Sequence, residues 1–259
     1  MPSSDLRIIA LSLAALGLLQ GVHRASFRDG AILPATVQAS SLPTVDAGTP
    51  PPKIVIGFVG GAVHHDDKVH SEVQLADRLA AAYPQGVHVE VFENRRIAAA
   101  HETILHLLGA GPGHKLSDNV KAQADIILYG HSWGGAAAVR LAQLLEKDGL
   151  PVLLTAEVDV VSKHGIDDAL IPPNVQLAVN YYQPDGLLHG RPEIRAADPT
   201  KTKILGNFRF SYKEAPIDCP GYPWYDRVFS KTHMEIECDP RVWMQVEKLI
   251  REQLDHPGK

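Results

Sequence analysis

Five short apolar runs recur along the chain: Lys53–Val59 (KIVIGFV), Val87–Phe92, Ile126–Tyr129, Val152–Val158 and Val175–Tyr182. Each is rich in β-forming residues and too short for a buried helix, so each reads as a strand of a parallel sheet covered on both faces. Helical spacing fills the gaps. Val73, Ala76, Leu79 and Ala80 share one face of a segment from Ser71 to Tyr83, a second helix spans Arg95 to Leu108, and Ala138, Leu141, Ala142 and Leu145 recur after the third strand until Gly149 and Pro151 stop them. Near the end, Asp239-Pro240 caps a helix whose Val242, Val246, Leu249 and Ile250 face inward. Strands alternating with helices predict an α/β fold, a mostly parallel sheet with helices on both faces. Functional groups in such sheets lie beyond the carboxyl ends of the strands, where Gly60-Gly61, Ser132, Asp159 and Asp185 fall.

The first residues break this pattern. Arg7 precedes an uninterrupted apolar run, Ile8 to Leu19, which is short for a membrane span and suited to a signal-peptide core. Residues 1–28 are therefore expected to be a signal peptide or membrane anchor, and the protein to be exported, periplasmic or extracellular, or membrane-anchored. Residues 29–52 carry Pro34, Pro43, Pro50, Pro51 and Pro52 among small and polar residues with no hydrophobic period, and read as a flexible linker. The folded domain is expected over 53–259.

Within the domain, Gly130-His131-Ser132-Trp133-Gly134-Gly135 joins the third strand to the following helix. A turn that tight forces its central residue into a strained conformation and brings backbones close, which the glycines permit. The pattern is the G-x-S-x-G nucleophile elbow, and Ser132 is the candidate nucleophile.

With GHSWGG, the GFVGG turn closing the first strand, and a serine, acid, histidine order along the chain, residues 53–255 resemble the α/β-hydrolase superfamily, in particular its lipases and esterases. The chain departs from that family where Val59-Gly60 replaces the usual His-Gly before the oxyanion turn. The resemblance implies a serine hydrolase that cleaves carboxylic esters through an acyl-enzyme and needs no cofactor and no metal.

A serine hydroxyl needs a base within hydrogen-bond reach and a group that orients the base. His233, in the segment before the Asp239-Pro240 cap, is the expected base; His164 and His189 come too early, His256 lies in a polar tail, and His131 is expected to pack beside the site. Asp159 is the favoured acid because the apolar run before it implies burial, and a buried carboxylate needs a partner. Asp185, in a Pro-Asp-Gly turn signature, is the alternative. Backbone N–H groups of Trp133 and of Gly61, or its neighbour Ala62, would form the oxyanion hole.

Three further features bear on function. His64, His65, Asp66, Asp67 and His70 are metal-ligand types, but their spacing matches no ligand motif, and they read as a polar lip with Asp66 or Asp67 as helix cap. Aromatic residues crowd the segment from Tyr181 to Phe229 and predict a long flap or a satellite core. Cys219 and Cys238, the only cysteines, bracket His233 and could be bridged. The net charge of −5 excludes a phosphate-backbone partner, so no nucleic acid is expected. The expected partner is a small-molecule or lipid ester, with membrane attachment through the N-terminal segment. Two other functions fit the same residues: an acyltransferase, with an alcohol taking the acyl group, and a non-catalytic binding protein on the same fold.

Overall fold

A computed structural model describes residues 51–111, 115–162, 167–222 and 230–256. Strands β1 (Lys53–Val59), β2 (Val87–Glu93), β3 (Ile126–His131) and β4 (Val152–Val158) alternate with helices α1 (Ser71–Ala82), α2 (Ile97–Leu107), α3 (Asp118–Ala122) and α4 (Trp133–Lys147). Then come β5 (Leu170–Ile171), β6 (Val175–Tyr182), β7 (Arg195–Ala196), β8 (Lys203–Arg209), α5 (Lys231–Cys238) and α6 (Pro240–Asp255). The main sheet has six strands in the order β2-β1-β3-β4-β6-β8, every neighbouring pair parallel. β5 and β7 form a separate two-stranded ribbon.

The central strands β1, β3 and β4 are apolar on both sides because both sides are covered. Ile54, Ile56, Ile126 and Leu128 pack with α2 and α4, whereas Val55, Ile127, Leu154 and Ala156 pack with α1 and α6. The predicted strands and main helices thus stand close to their expected bounds. Two elements depart from expectation. The segment read as a flap contributes the sixth strand, β8, whose Phe208 stacks on Tyr181 with ring centroids 5.5 Å apart, while Phe210 meets the same ring edge-on at 6.2 Å. Those aromatics extend the sheet and its packing; Trp224, Tyr225 and Phe229 lie outside the described residues. The other is α5, which places His233 on a short helix rather than in the loop expected there.

The expectation of export or membrane anchoring is corrected. Among the described residues no helix is long and apolar enough to cross a membrane, and the apolar run 8–19 on which the expectation rested lies outside the described residues.

Strand order places the site. Chain order reverses at β1, with β2 on one side and β3 on the other, so the crevice at the carboxyl ends of β1 and β3 is the topological switch point where ligands of such sheets bind. Gly60-Gly61 and Ser132 follow those two strands.

Cys219 and Cys238 are joined by a disulfide, Cα atoms 5.9 Å apart and 19 positions apart in sequence, which ties the end of α5 to the segment before it. Closing a loop of that length restricts the unfolded chain and contributes roughly 3 kcal/mol. The double replacement Cys219→Ala, Cys238→Ala should therefore lower the thermal midpoint measured by calorimetry, and wild-type protein in reductant should show the same loss. An unchanged midpoint in both would show that the bridge carries no stability.

Candidate active site

Ser132 ends β3 and begins α4 with φ 56° and ψ −126°, a region that a residue with a Cβ rarely occupies. Such strain costs of order 1–3 kcal/mol and persists only when the surroundings over-determine it. Here they do. The Ser132 N–H donates to the Val158 carbonyl at 2.9 Å, and the Ser132 carbonyl accepts from Gly135 at 3.1 Å. The flanking glycines are steric requirements: a Cβ on Gly130 would stand 2.5 Å from the Gly134 backbone, and one on Gly134 would stand 2.2 Å from the Phe58 carbonyl oxygen. The elbow is thereby clamped between β1 and β4.

The register continues the argument. His131 pairs with Val158 across β3 and β4, so Ser132 and Asp159 each lie one step past paired residues on adjacent strands. Asp159 is the other non-glycine residue with positive φ among those described, at 44°. Its N–H donates to Tyr181 at 2.7 Å, and its side chain is fully buried. Oδ1 accepts from the N–H groups of Gln183 (2.9 Å) and Gly190 (2.8 Å), and Oδ2 accepts from Gln183 Nε2 (2.8 Å). The fourth position of the carboxylate is taken by His233 Nδ1, 2.7 Å from Oδ2.

His233 enters from α5, 2% exposed, its ring 4.4 Å from that of His131 and tilted by 34°. With Nδ1 committed to Asp159, the proton-accepting nitrogen of a neutral ring is Nε2. Burial drives His131 down to about 4, with Glu237 opposing that shift, so His131 is a neutral ring at neutral pH. Its ring packs against that of His233.

The two acids are separated by these contacts. Asp185 turns away from His233: its Oδ2 accepts from Ser211 Oγ at 2.6 Å and the Tyr212 N–H at 3.2 Å, and Lys213 Nζ stands 3.3 Å from Oδ1. The Ser211 hydrogen bond is the main cause holding its carboxyl below the ordinary range. The expectation of a complete triad is corrected. Hydrogen bonds join His233 to Asp159, but none joins Ser132 Oγ to His233.

His131, Asp159 and His233 also offer three donor atoms within 4.8 Å of one another, the makings of a metal trio. Asp159 argues against that use, because its four lone-pair positions are filled by four hydrogen bonds.

At the β1 end, Asn94 Nδ2 donates to the carbonyls of Val59 (3.2 Å) and Gly61 (2.6 Å), and fixes the turn beside the serine. A Cβ on Gly60 would lie 3.1 Å from Ser132 Cβ. Gly61 has φ 43°, and Trp133, 41% exposed, is the first residue of α4, at the positive end of that helix. Of the expected polar lip, exposed His64 and half-buried His65 gather around Glu93, whereas His70 is buried elsewhere. His70, rather than Asp66 or Asp67, is the N-cap residue of α1.

Sequence reasoning missed Gln183, Gly190 and Asn94, which hold the acid and the turn. Gly190 had a signal only in hindsight: a Cβ there would meet Asp159 Cα at 2.5 Å.

These contacts predict different consequences for the two acids. Asp159→Asn should reduce any turnover of this site far more than Asp185→Asn, because the amide leaves His233 in the wrong tautomer. Asp185→Asn should instead cost stability. A carboxyl whose folded pKa is depressed stabilises above its unfolded pKa and stops doing so as pH falls through the folded value. Acid titration of the thermal midpoint should therefore show wild type losing more than Asp185→Asn as pH falls below about 4. Equal acid sensitivity would show that Asp185's contacts carry no linkage.

No protein-family model and no curated protein matches this chain. Among solved structures it is similar to RedJ with a PEG molecule bound in its active site, at 13% identity over 78% of this chain and 96% of that one, with a TM-score of 0.29. It is also similar to the RedJ thioesterase from the prodiginine biosynthetic pathway in Streptomyces coelicolor, at 12% identity over 76% and 96%, TM-score 0.32. A short-chain dehydrogenase from Streptomyces avermitilis gives 11% identity over 80% and 85%, TM-score 0.25. Likenesses at this level, which include two different chemistries, carry no argument about this chain's reaction.

Proposed function

We propose that residues 53–259 form an α/β-hydrolase-type domain that cleaves carboxylic esters of small molecules through an acyl-enzyme on Ser132. The observation that carries the reading is the strained serine at the switch point of the sheet, one residue past the strand pairing that also sets Asp159 under His233. A binding protein has no use for a nucleophile-type residue held at φ 56°, and strain of this kind clusters at sites where it is part of a mechanism.

Each group has one task in this reading. Ser132 Oγ attacks the ester carbonyl while His233 Nε2 takes its proton. Asp159 keeps the other ring proton on Nδ1 and stabilises the imidazolium. The oxyanion that forms is met by the backbone N–H groups of Trp133 and Gly61. His233 then protonates the leaving alcohol, and a water activated by the same Nε2 attacks the acyl-enzyme to release the acid. Catalytic hydrogen bonds commonly tighten only in the substrate complex, which accommodates the missing Ser132 to His233 bond.

Ser132→Ala should abolish labelling by a fluorophosphonate probe and lower hydrolysis of a p-nitrophenyl ester by on the order of 10³-fold or more, with the fold retained by circular dichroism. His233→Ala should fall as far, because the nucleophile and its base act as a unit. Turnover unchanged in Ser132→Ala would remove the reading.

A further inference from the structure

Behind the His131 ring lies a second buried group of ionisable side chains that the proposed reaction does not use. His70 at the start of α1, Glu72 in its first turn and Glu237 near the end of α5 bring one ring nitrogen and two carboxylate oxygens within 4.8 Å of one another. All three are nearly sealed from solvent: His70 is 7% exposed, Glu72 0% and Glu237 1%. Glu237 is well supplied with donors, since His70 Nδ1 lies 2.5 Å and Tyr222 Oη 3.0 Å from its Oε1. Glu72 is not. Its carboxylate oxygens make no hydrogen bond of full geometry and interact with the Glu237 carboxyl and the Gly60 backbone, while its own backbone carbonyl is held by Tyr129 Oη at 2.9 Å. Burial first, and the facing Glu237 second, push its carboxyl well above the ordinary range.

His131 closes the remaining side. Its Nδ1 stands 3.4 Å from Glu237 Oε2 and 3.9 Å from Glu72 Oε1. Both spans exceed the ordinary N–H···O range of about 2.7–3.2 Å. They are near the ~3.4 Å that separates two ligands of a tetrahedral cation with bonds of about 2.0–2.2 Å. Two carboxylates facing each other out of water need either a shared proton or a cation, and the ring nitrogens of His70 and His131 beside them supply the further donors a cation requires.

We propose that His70, Glu72 and Glu237, with His131 Nδ1 facing them, form a binding site for a divalent transition metal, with Zn²⁺ as the best fit to nitrogen and carboxylate donors without thiolates. On loading, one oxygen of each glutamate and the Nδ1 lone pair of His70 bond to the cation. The proton of Glu72 leaves to solvent, and the proton on His70 Nδ1 passes to Nε2 or leaves as well. Asp67 Oδ2, 3.8 Å from His70 Nε2 and half-exposed, is the carboxylate placed to orient that ring and marks the side open to water. The site would pin α1, the elbow and α5 to one another. It is independent of the hydrolase reading, and sequence spacing concealed it because its ligands come from three separated segments.

The test is isothermal titration of chelator-treated full-length protein with Zn²⁺, alongside the thermal midpoint with and without the metal. Wild type should bind one equivalent, gain thermal stability and release at least one proton per cation, counted from heats in two buffers of different ionisation enthalpy. Glu72→Gln, close in shape, should weaken that binding at least tenfold. A competing group, His64 and His65 on the buried Glu93, has imidazole side chains 60% and 41% exposed, so His64→Ala, His65→Ala, with its fold verified by circular dichroism, is the control. It should leave the bound equivalent and the stabilisation unchanged. No binding at micromolar Zn²⁺ in wild type, or binding lost in the His64/His65 variant, would overturn the proposal; so would binding kept at full strength in Glu72→Gln.

Discussion

A carboxylate taken out of water must have its lone pairs met by donors, and Asp159 has all four met. That requirement organises the surrounding chain. Gln183 contributes both its backbone and its side chain, so the stretch after β6 must fold back over the end of β4. Gly190 must be a glycine because its backbone N–H donates from a distance at which a Cβ would strike Asp159. His233 must arrive with Nδ1 foremost, which fixes the position of α5. The carboxylate thus draws together three segments distant in sequence, and each contact removes freedom from a ring that would otherwise rotate.

The sequence made one half of this arrangement legible. Continuous apolar runs mark strands when both faces are buried, so β1, β3, β4 and β6 could be read directly. Ser132 was legible because the glycines around it answer a local steric problem. Asp159 was preferred over Asp185 as the acid on burial; in the structure Asp159 meets His233, whereas Asp185 contacts Ser211, Tyr212 and Lys213. β8 was not legible: its residues are half-exposed at the edge of the sheet, so the apolar period is diluted, and its aromatics read as a flap. α5 escaped for a related reason. Three of its buried residues, His233, Glu235 and Glu237, are polar, where hydrophobic ones would announce a helix.

The helix also links the Asp159–His233 pair to the group behind it. His233 and Glu237 are four residues apart on α5 and therefore lie on one side of the helix, one turn apart. Asp159 holds the first and His70 the second, with the His131 ring lying against His233 and 3.4 Å from Glu237. The two sites differ in how their charge is compensated. Asp159 has donors on every side, whereas Glu72 faces a second carboxylate, that of Glu237.

Helix α5 is only two turns long and could not hold its position through its own backbone hydrogen bonds. External ties supply what length does not. Cys238 at its end is bridged to Cys219, and the Trp243 indole N–H of α6 donates to the Glu237 carbonyl. Asp239, between the helices, caps α6 through the Arg241 N–H at 2.8 Å and accepts from Tyr212 Oη at 3.0 Å. Through Tyr212 this junction reaches Asp185, whose carboxylate accepts the Tyr212 N–H. Asp185 thus anchors the strand-end segment against which the junction after α5, the helix that carries His233, is braced. Its contacts belong to the support of the helix, whereas Asp159 is the carboxylate hydrogen-bonded to the His233 ring.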